Sequence, residues 1–145
     1  MAFISVFDVL GPNMIGPSSS HTAGAEIIAF LAQKMIAPPL RRVDFTLYGS
    51  FAKTYHGHGT DRALLGGVMG FSADDTRIRE SFAIATERGL AYSFTPNEAE
   101  TDIYPNTVDG KRRRSGDDGA GRVAGRRQGA YCADQRRGSG LYRRV

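Results

Sequence analysis

The chain has 145 residues, 41% of them hydrophobic and 23% charged, with a formal net charge of +4 and one cysteine. This is one domain's worth of chain, with enough apolar residues for a modest core. A single cysteine, Cys132, excludes an internal disulfide framework and fits a reducing cytoplasm, and no apolar run approaches the length that spans a bilayer.

The charge is unevenly spread. Residues 1–108 hold 8 Lys and Arg against 11 Asp and Glu, whereas residues 109–145 hold 11 against 4. The basic character therefore belongs to the tail, which also carries 8 of the 18 glycines. The apolar start, "MAFISVFDVLGP", lacks a cationic leader and a small-residue cleavage site, so no signal peptide is expected.

In chain order, Ser5 and Asp8 have capping-box spacing and predict a short helix to about Leu10. Residues 11–20, with two prolines and two glycines, predict a loop. From Thr22, "AGAEIIAFLAQKMIA" places apolar residues at 27, 28, 30, 31, 35 and 36, a helical rhythm stopped by Pro38 and Pro39. "RRVDFTLYGS" alternates Val43, Phe45 and Leu47 inward with Asp44 and Thr46 outward, a half-buried strand ending at Gly49. "TDRALLGGVMGF" predicts a helix capped by Thr60 or Asp61, although Gly66 and Gly67 argue against it. "DDTRIRESFAIATERG" predicts a helix closed by Gly89, "LAYSFT" a strand, and "DIYPNTV" the start of another strand interrupted by Pro105. The fold class expected is α+β: a small mixed or antiparallel sheet with helices packed on one face, truncated at its last strands.

Two stretches carry chemistry. In "GPSSSHTAG", three serines and His21 stand at a helix entrance, where free backbone N–H groups attract carboxylates and phosphates. Hydroxyls add donors, and the imidazole can move a proton. Plain N-capping would account for one serine, but not for three followed by a histidine. In "YGSFAKTYHGHGTD", His56 and His58 flank Gly57. H-x-H can place two imidazoles on one ion, but no carboxylate or cysteine cluster completes a coordination sphere, and no metal site is expected. The stretch otherwise reads as a strand-to-helix loop presenting His58, or as a solvated turn. No nucleophile–base–orienter set is present, so acyl transfer is not supported.

"SVFDVLGPNMIGPSSSHTAG", "LYGSFAKTYHGHGTDRALLGGVMGF" and "PNTV" together resemble the beta subunit, or beta domain, of the iron–sulfur-dependent bacterial L-serine dehydratases. The resemblance covers residues 4–108 and implies conversion of L-serine to pyruvate and ammonia. It also implies a [4Fe-4S] cluster held by a partner alpha subunit, which a lone Cys132 agrees with, and a cytoplasmic location. Carried over by motif, His58 matches the family's general base and His21 its second active-site histidine. Ser18, Ser19, Ser20, Thr22, Gly59 and Thr60 are the accompanying substrate-binding candidates. His56 has no match, and Tyr104 stands where the family reads the histidine of H-P-N-T.

The resemblance assigns residues 1–108 to the beta domain and leaves 109–145 as a basic Gly/Arg-rich tail, disordered or frameshifted. Read one base out of frame with permitted codons, residues from Gly125 to Arg143 can become G-G-G-K-A-H-I-V-R-I-N-G-V-E-V-D-F-T-G, the family's closing pattern. Two rival classes remain at this stage. One is a non-catalytic regulatory domain binding an anion or amino acid. The other is a nucleic-acid binder built on the tail, which thin aromatic interleaving disfavours. The leading expectation has neither a nucleic-acid partner nor a membrane.

Overall fold

The computed structural model describes residues 13–34, 39–100, 102, 107–114, 117–126, 129–133 and 143–144, with side chains as far as Gly110. The helix expected at residues 5–10, the stop at Pro38 and the residues around Tyr104 and Pro105 lie outside this set.

A π-helical turn, Ser19–Ala23, runs directly into α1 (Gly24–Lys34). β1 (Arg42–Tyr48) follows, then α2 (Gly49–Thr54), α3 (Thr60–Val68), a 3₁₀ turn (Thr76–Glu80), α4 (Ser81–Glu87) and β2 (Ala91–Asn97). β3 (Val108–Arg114), β4 (Asp117–Arg126), β5 (Gly129–Ala133) and β6 (Arg143–Arg144) continue the sheet, whose order is β2-β1-β3-β4-β5-β6. β1 pairs in parallel with β2, from Arg42↔Ala91 to Tyr48↔Asn97, and antiparallel with β3. The sheet is therefore mixed, and the fold is α+β as the sequence implies. β2 is an edge strand, which is where Pro96 can sit without costing a ladder bond.

The alternation of β1 is realised. Val43, Phe45 and Leu47 are buried, while Asp44 and Thr46 are half-buried on the other face. They pack with Ala25, Ile28 and Ala29 of α1, Phe51 and Ala52 of α2, and Ala63, Leu64, Leu65 and Val68 of α3. Full burial of a Leu or Phe side chain contributes about 1.5–3 kcal/mol, so this shared core fixes the helices on the sheet.

Four details depart from the sequence reading, each for a physical reason. First, the buried stripe of α1 is Ala25, Glu26, Ile28, Ala29 and Ala32, whereas Ile27 is 47% exposed. Of the large apolar residues only Ile28 lies on the packed face, which alanines otherwise form, with Ala29 against Gly67 of α3. Second, α3 forms in spite of Gly66 and Gly67. A Cβ on Gly67 would lie 2.6 Å from the Glu26 carbonyl oxygen and 2.7 Å from Ala29 Cβ, so glycine permits the close approach of the two helices. Third, the cap of α3 is Gly59 at φ +66°, and neither Thr60 nor Asp61 caps it. Fourth, α2 occupies part of what reads as loop. The predicted helix at 74–89 divides into the 3₁₀ turn, capped by Asp75, and α4, with Gly89 at φ +65° just beyond its end.

Candidate functional site

The first loop is organised by its own hydroxyls. Ser18 has an extended backbone, and its Oγ accepts from His21 N at 3.1 Å, while its carbonyl accepts from Thr22 N and Ala23 N. Gly16, at φ +126°, turns the chain into this cap, and Pro17 stiffens the step. The π-helical turn then carries His21 toward the start of α2. There His21 Nε2 lies 2.6 Å from Ser50 Oγ, and Nδ1 lies 2.9 Å from Ser20 Oγ. A neutral imidazole donates from one nitrogen and accepts at the other, and two rotatable hydroxyls can complement either tautomer. Burial, and then the charge of His58, hold His21 below the ordinary histidine value. It is accordingly neutral at physiological pH.

The second loop, between α2 and α3, is a run of tight turns. His58 N donates to Thr54 O, Gly59 N to His56 O and Thr60 N to Tyr55 O. The left-handed Gly59 ends it. This brings the His58 ring to 5.0 Å from the His21 ring, centroid to centroid, at an interplanar angle of 70°. The edge of Phe51 closes the other side of His21 at 5.5 Å. Thr22 Oγ1 donates to the His58 carbonyl at 2.7 Å, tying the two loops together a second time. His58 Nδ1 and Thr60 Oγ1 are both buried without a hydrogen-bond partner.

The sequence candidates therefore fall into distinct places. His21, His58, Ser20 and Thr22 meet at one site, with Ser18 shaping the loop below it. Thr60 is fully buried, and Ser19 is exposed. Gly59 and Thr22 also line a pocket of about 460 Å³, walled further by Met14, Ile15, Gly16, Pro17, Arg62, Ile78 and Arg79. His56 makes none of these contacts. Its ring is 75% exposed and lies 2.9 Å from the buried carboxylate of Asp61, which also accepts from Arg62 N. Sequence reasoning missed Ser50. Its signal was position: it stands two residues past the end of β1, inside a stretch already singled out for His56 and His58.

Among the described residues no group of three or more His, Cys, Asp or Glu could hold a metal ion, and no helix is long and apolar enough to cross a membrane. A family model described as serine dehydratase beta chain matches residues 5–107. The chain belongs to the serine dehydratase beta chain family. It is 51% identical over 108 residues to the L-serine dehydratase beta chain of Peptoniphilus asaccharolyticus and 46% identical over 108 residues to the probable L-serine dehydratase beta chain of Bacillus subtilis. Each match covers 74% of this chain and 49% of the relative, so the chain spans about half the length of these beta chains. An L-serine dehydratase of Streptomyces coelicolor is 45% identical over 78 residues, 48% of this chain and 16% of that protein. Both histidine loops lie inside the family match.

Proposed function

We propose that this chain is the beta subunit of an L-serine dehydratase and lends its two histidine loops to an active site shared with an iron–sulfur alpha subunit. The observation that carries this reading is the pairing of His21 and His58 at 5.0 Å, with His58 Nδ1 buried and unpartnered. An imidazole nitrogen without a partner in the protein is open to take a proton from a bound substrate.

In this reading His58 accepts the Cα proton of L-serine. The C–H electrons form the Cα–Cβ double bond as the Cβ–O bond breaks, and the hydroxyl leaves as water by taking up a proton, which balances the one that His58 has accepted from Cα. The aminoacrylate so formed tautomerises to an imine. Water adds to that imine and ammonia departs, leaving pyruvate. Both ring nitrogens of the neutral His21 are held by Ser20 and Ser50, so His21 reaches the substrate's carboxylate or hydroxyl by exchanging one of these serine hydrogen bonds for the substrate, with Ser19 as a further donor. Nothing among the described residues fits an iron–sulfur cluster on this chain, and no step above runs through one. The cluster is assigned to the alpha subunit by resemblance alone.

For residues 109–145 we propose a shifted reading frame. The abrupt gain of arginine and glycine after Val108 and the end of the family match at residue 107 support it. The alternative of a non-catalytic binding module for a small anion or amino acid draws on the pocket, which neither histidine lines.

The test is pyruvate formation from L-serine after anaerobic co-expression with an alpha chain, for this chain and for a version with the tail in the other frame. Activity in either supports the dehydratase reading. Inactivity in both, with L-serine still bound, favours the binding module.

A further inference from the structure

The second tie between the loops has a different character from the first. Ser50 reaches a ring nitrogen of His21, whereas Thr22 reaches the backbone carbonyl of His58 and touches no titratable atom. Thr22 is itself 2% exposed, and its hydroxyl hydrogen is already committed to that carbonyl. We infer that Thr22 is a positioning residue, and that its hydroxyl sets where the His58 imidazole stands by holding the His58 carbonyl.

Three observations converge on this. The Thr22–His58 bond, at 2.7 Å, spans 36 residues of sequence and fixes the turn one residue before its left-handed glycine. At that point a small backbone rotation swings the preceding side chain widely. Next, the chain makes room for Thr22 at a cost elsewhere. Gly16 is held at φ +126°, and a Cβ there would sit 2.3 Å from Thr22 Cγ2, so only glycine allows the threonine its place. Finally, His58 Nδ1 has no hydrogen bond of its own. The His21 ring meets the His58 ring in an edge contact, but among the described residues no hydrogen bond orients it, so its position depends largely on backbone contacts. Through Oγ1, the threonine supplies a side-chain hydrogen bond to the His58 backbone.

The inference rests on the proposal that His58 removes the Cα proton. A displaced base is a kinetic lesion at one step, since misplacement by about 1 Å can cost on the order of 100-fold. Substrate held by other groups would still bind.

The experiment uses the full chain co-expressed with its alpha subunit and follows pyruvate formation from L-serine and from L-serine deuterated at Cα. Thr22→Val keeps the shape and removes the donor, while Thr22→Ser keeps the donor. The expected result is a kcat for Thr22→Val lower by about tenfold or more, with KM within about twofold. The deuterium isotope effect should be undiminished, because proton transfer now limits the rate, and Thr22→Ser should restore most of the kcat. Gly16→Ala, which leaves the hydroxyl but crowds it, is the second variant if Thr22→Val does not assemble, and it should show the same kcat loss. A Thr22→Val kcat within about twofold of the parent overturns the inference, as does a Thr22→Ser as impaired as Thr22→Val. A loss carried by KM alone does the same. His58→Ala in parallel separates the two levels: if that variant keeps its turnover, the reading of His58 fails, whatever Thr22 does.

Discussion

Glu26 is a buried carboxyl in the first turn of α1, 1% exposed, with Oε1 lacking any hydrogen-bond partner. Burial, reinforced by the nearby Asp74 carboxylate, raises it from 4.5 to about 7. The folded state thus favours the protonated acid. Its stabilising contribution is complete below about pH 4.5, declines as pH rises, and is gone above about pH 7. Such a shift corresponds to a span on the order of 3 kcal/mol between the two ends of that window. Glu26→Gln mimics the neutral acid at every pH. It should match the parent near pH 4.5 and exceed it at pH 8 by up to that amount, roughly 10 °C in Tm for a domain of this size. Urea unfolding at intervals from pH 4.5 to 8, read by tyrosine fluorescence in a chain without tryptophan, measures it directly. His21 works in the opposite sense. Its lowered value means that its contribution is present above about 6.5 and is lost as pH falls, but it is common to both proteins and cancels in their difference. A difference curve that is flat between pH 5 and 8 would refute the reasoning, because Glu26 would then ionise alike in the folded and unfolded chain.

Three further outcomes follow from the geometry. His58→Ala should abolish pyruvate formation, with the alpha subunit still co-purifying at the parent ratio; loss of the complex together with the activity would make His58 structural instead. Ser50→Ala frees His21 Nε2 from its 2.6 Å contact and should lower kcat/KM by about tenfold in the same assay, whereas an unchanged value would mean that Ser20 alone suffices to hold the ring. Gly67→Ala gains helix propensity of about 1 kcal/mol but forces a methyl against the backbone of α1, an overpacking penalty of about 1–3 kcal/mol, so its urea midpoint should fall.

What could be read in advance depended on whether a residue's surroundings were local. The alternation of β1 was legible because one face of a strand is buried and the other is not, and every second residue reports that. The interface of α1 with α3 was not legible. It is built from Ala29 and the backbone of Glu26 and Phe30 against Gly67, and small residues carry too little hydropathy to outweigh Ile27 and Phe30 in a helical pattern. Glu26 went unread for a related reason, since an acidic residue in a first helical turn ordinarily faces solvent. α2 was missed because it is six residues long, begins on a glycine and has no side-chain cap. His21 and His58 were singled out by their loops and by the family resemblance. Ser50 needed the fold, since its partner is 29 residues away and meets it only once β1 has delivered α2 beside the π-helical turn.

The row of serines in the first loop can now be divided by use. Ser18 is consumed in capping His21 N, and Ser20 is consumed at His21 Nδ1, so two of the three hydroxyls serve the loop rather than a ligand. Ser19 is exposed, and its hydroxyl makes no hydrogen bond among the described residues. Among the described residues, His58 Nδ1 and, two residues on, Thr60 Oγ1 are buried polar atoms without a partner, while Ser19 Oγ lies on the outside. Unpaired buried groups cost about 1–3 kcal/mol each, and a fold retains them where a ligand or partner will satisfy them. Under the proposed function the substrate answers that need at His58 Nδ1, whereas Thr60 Oγ1, in a fully buried residue, stays with the fold.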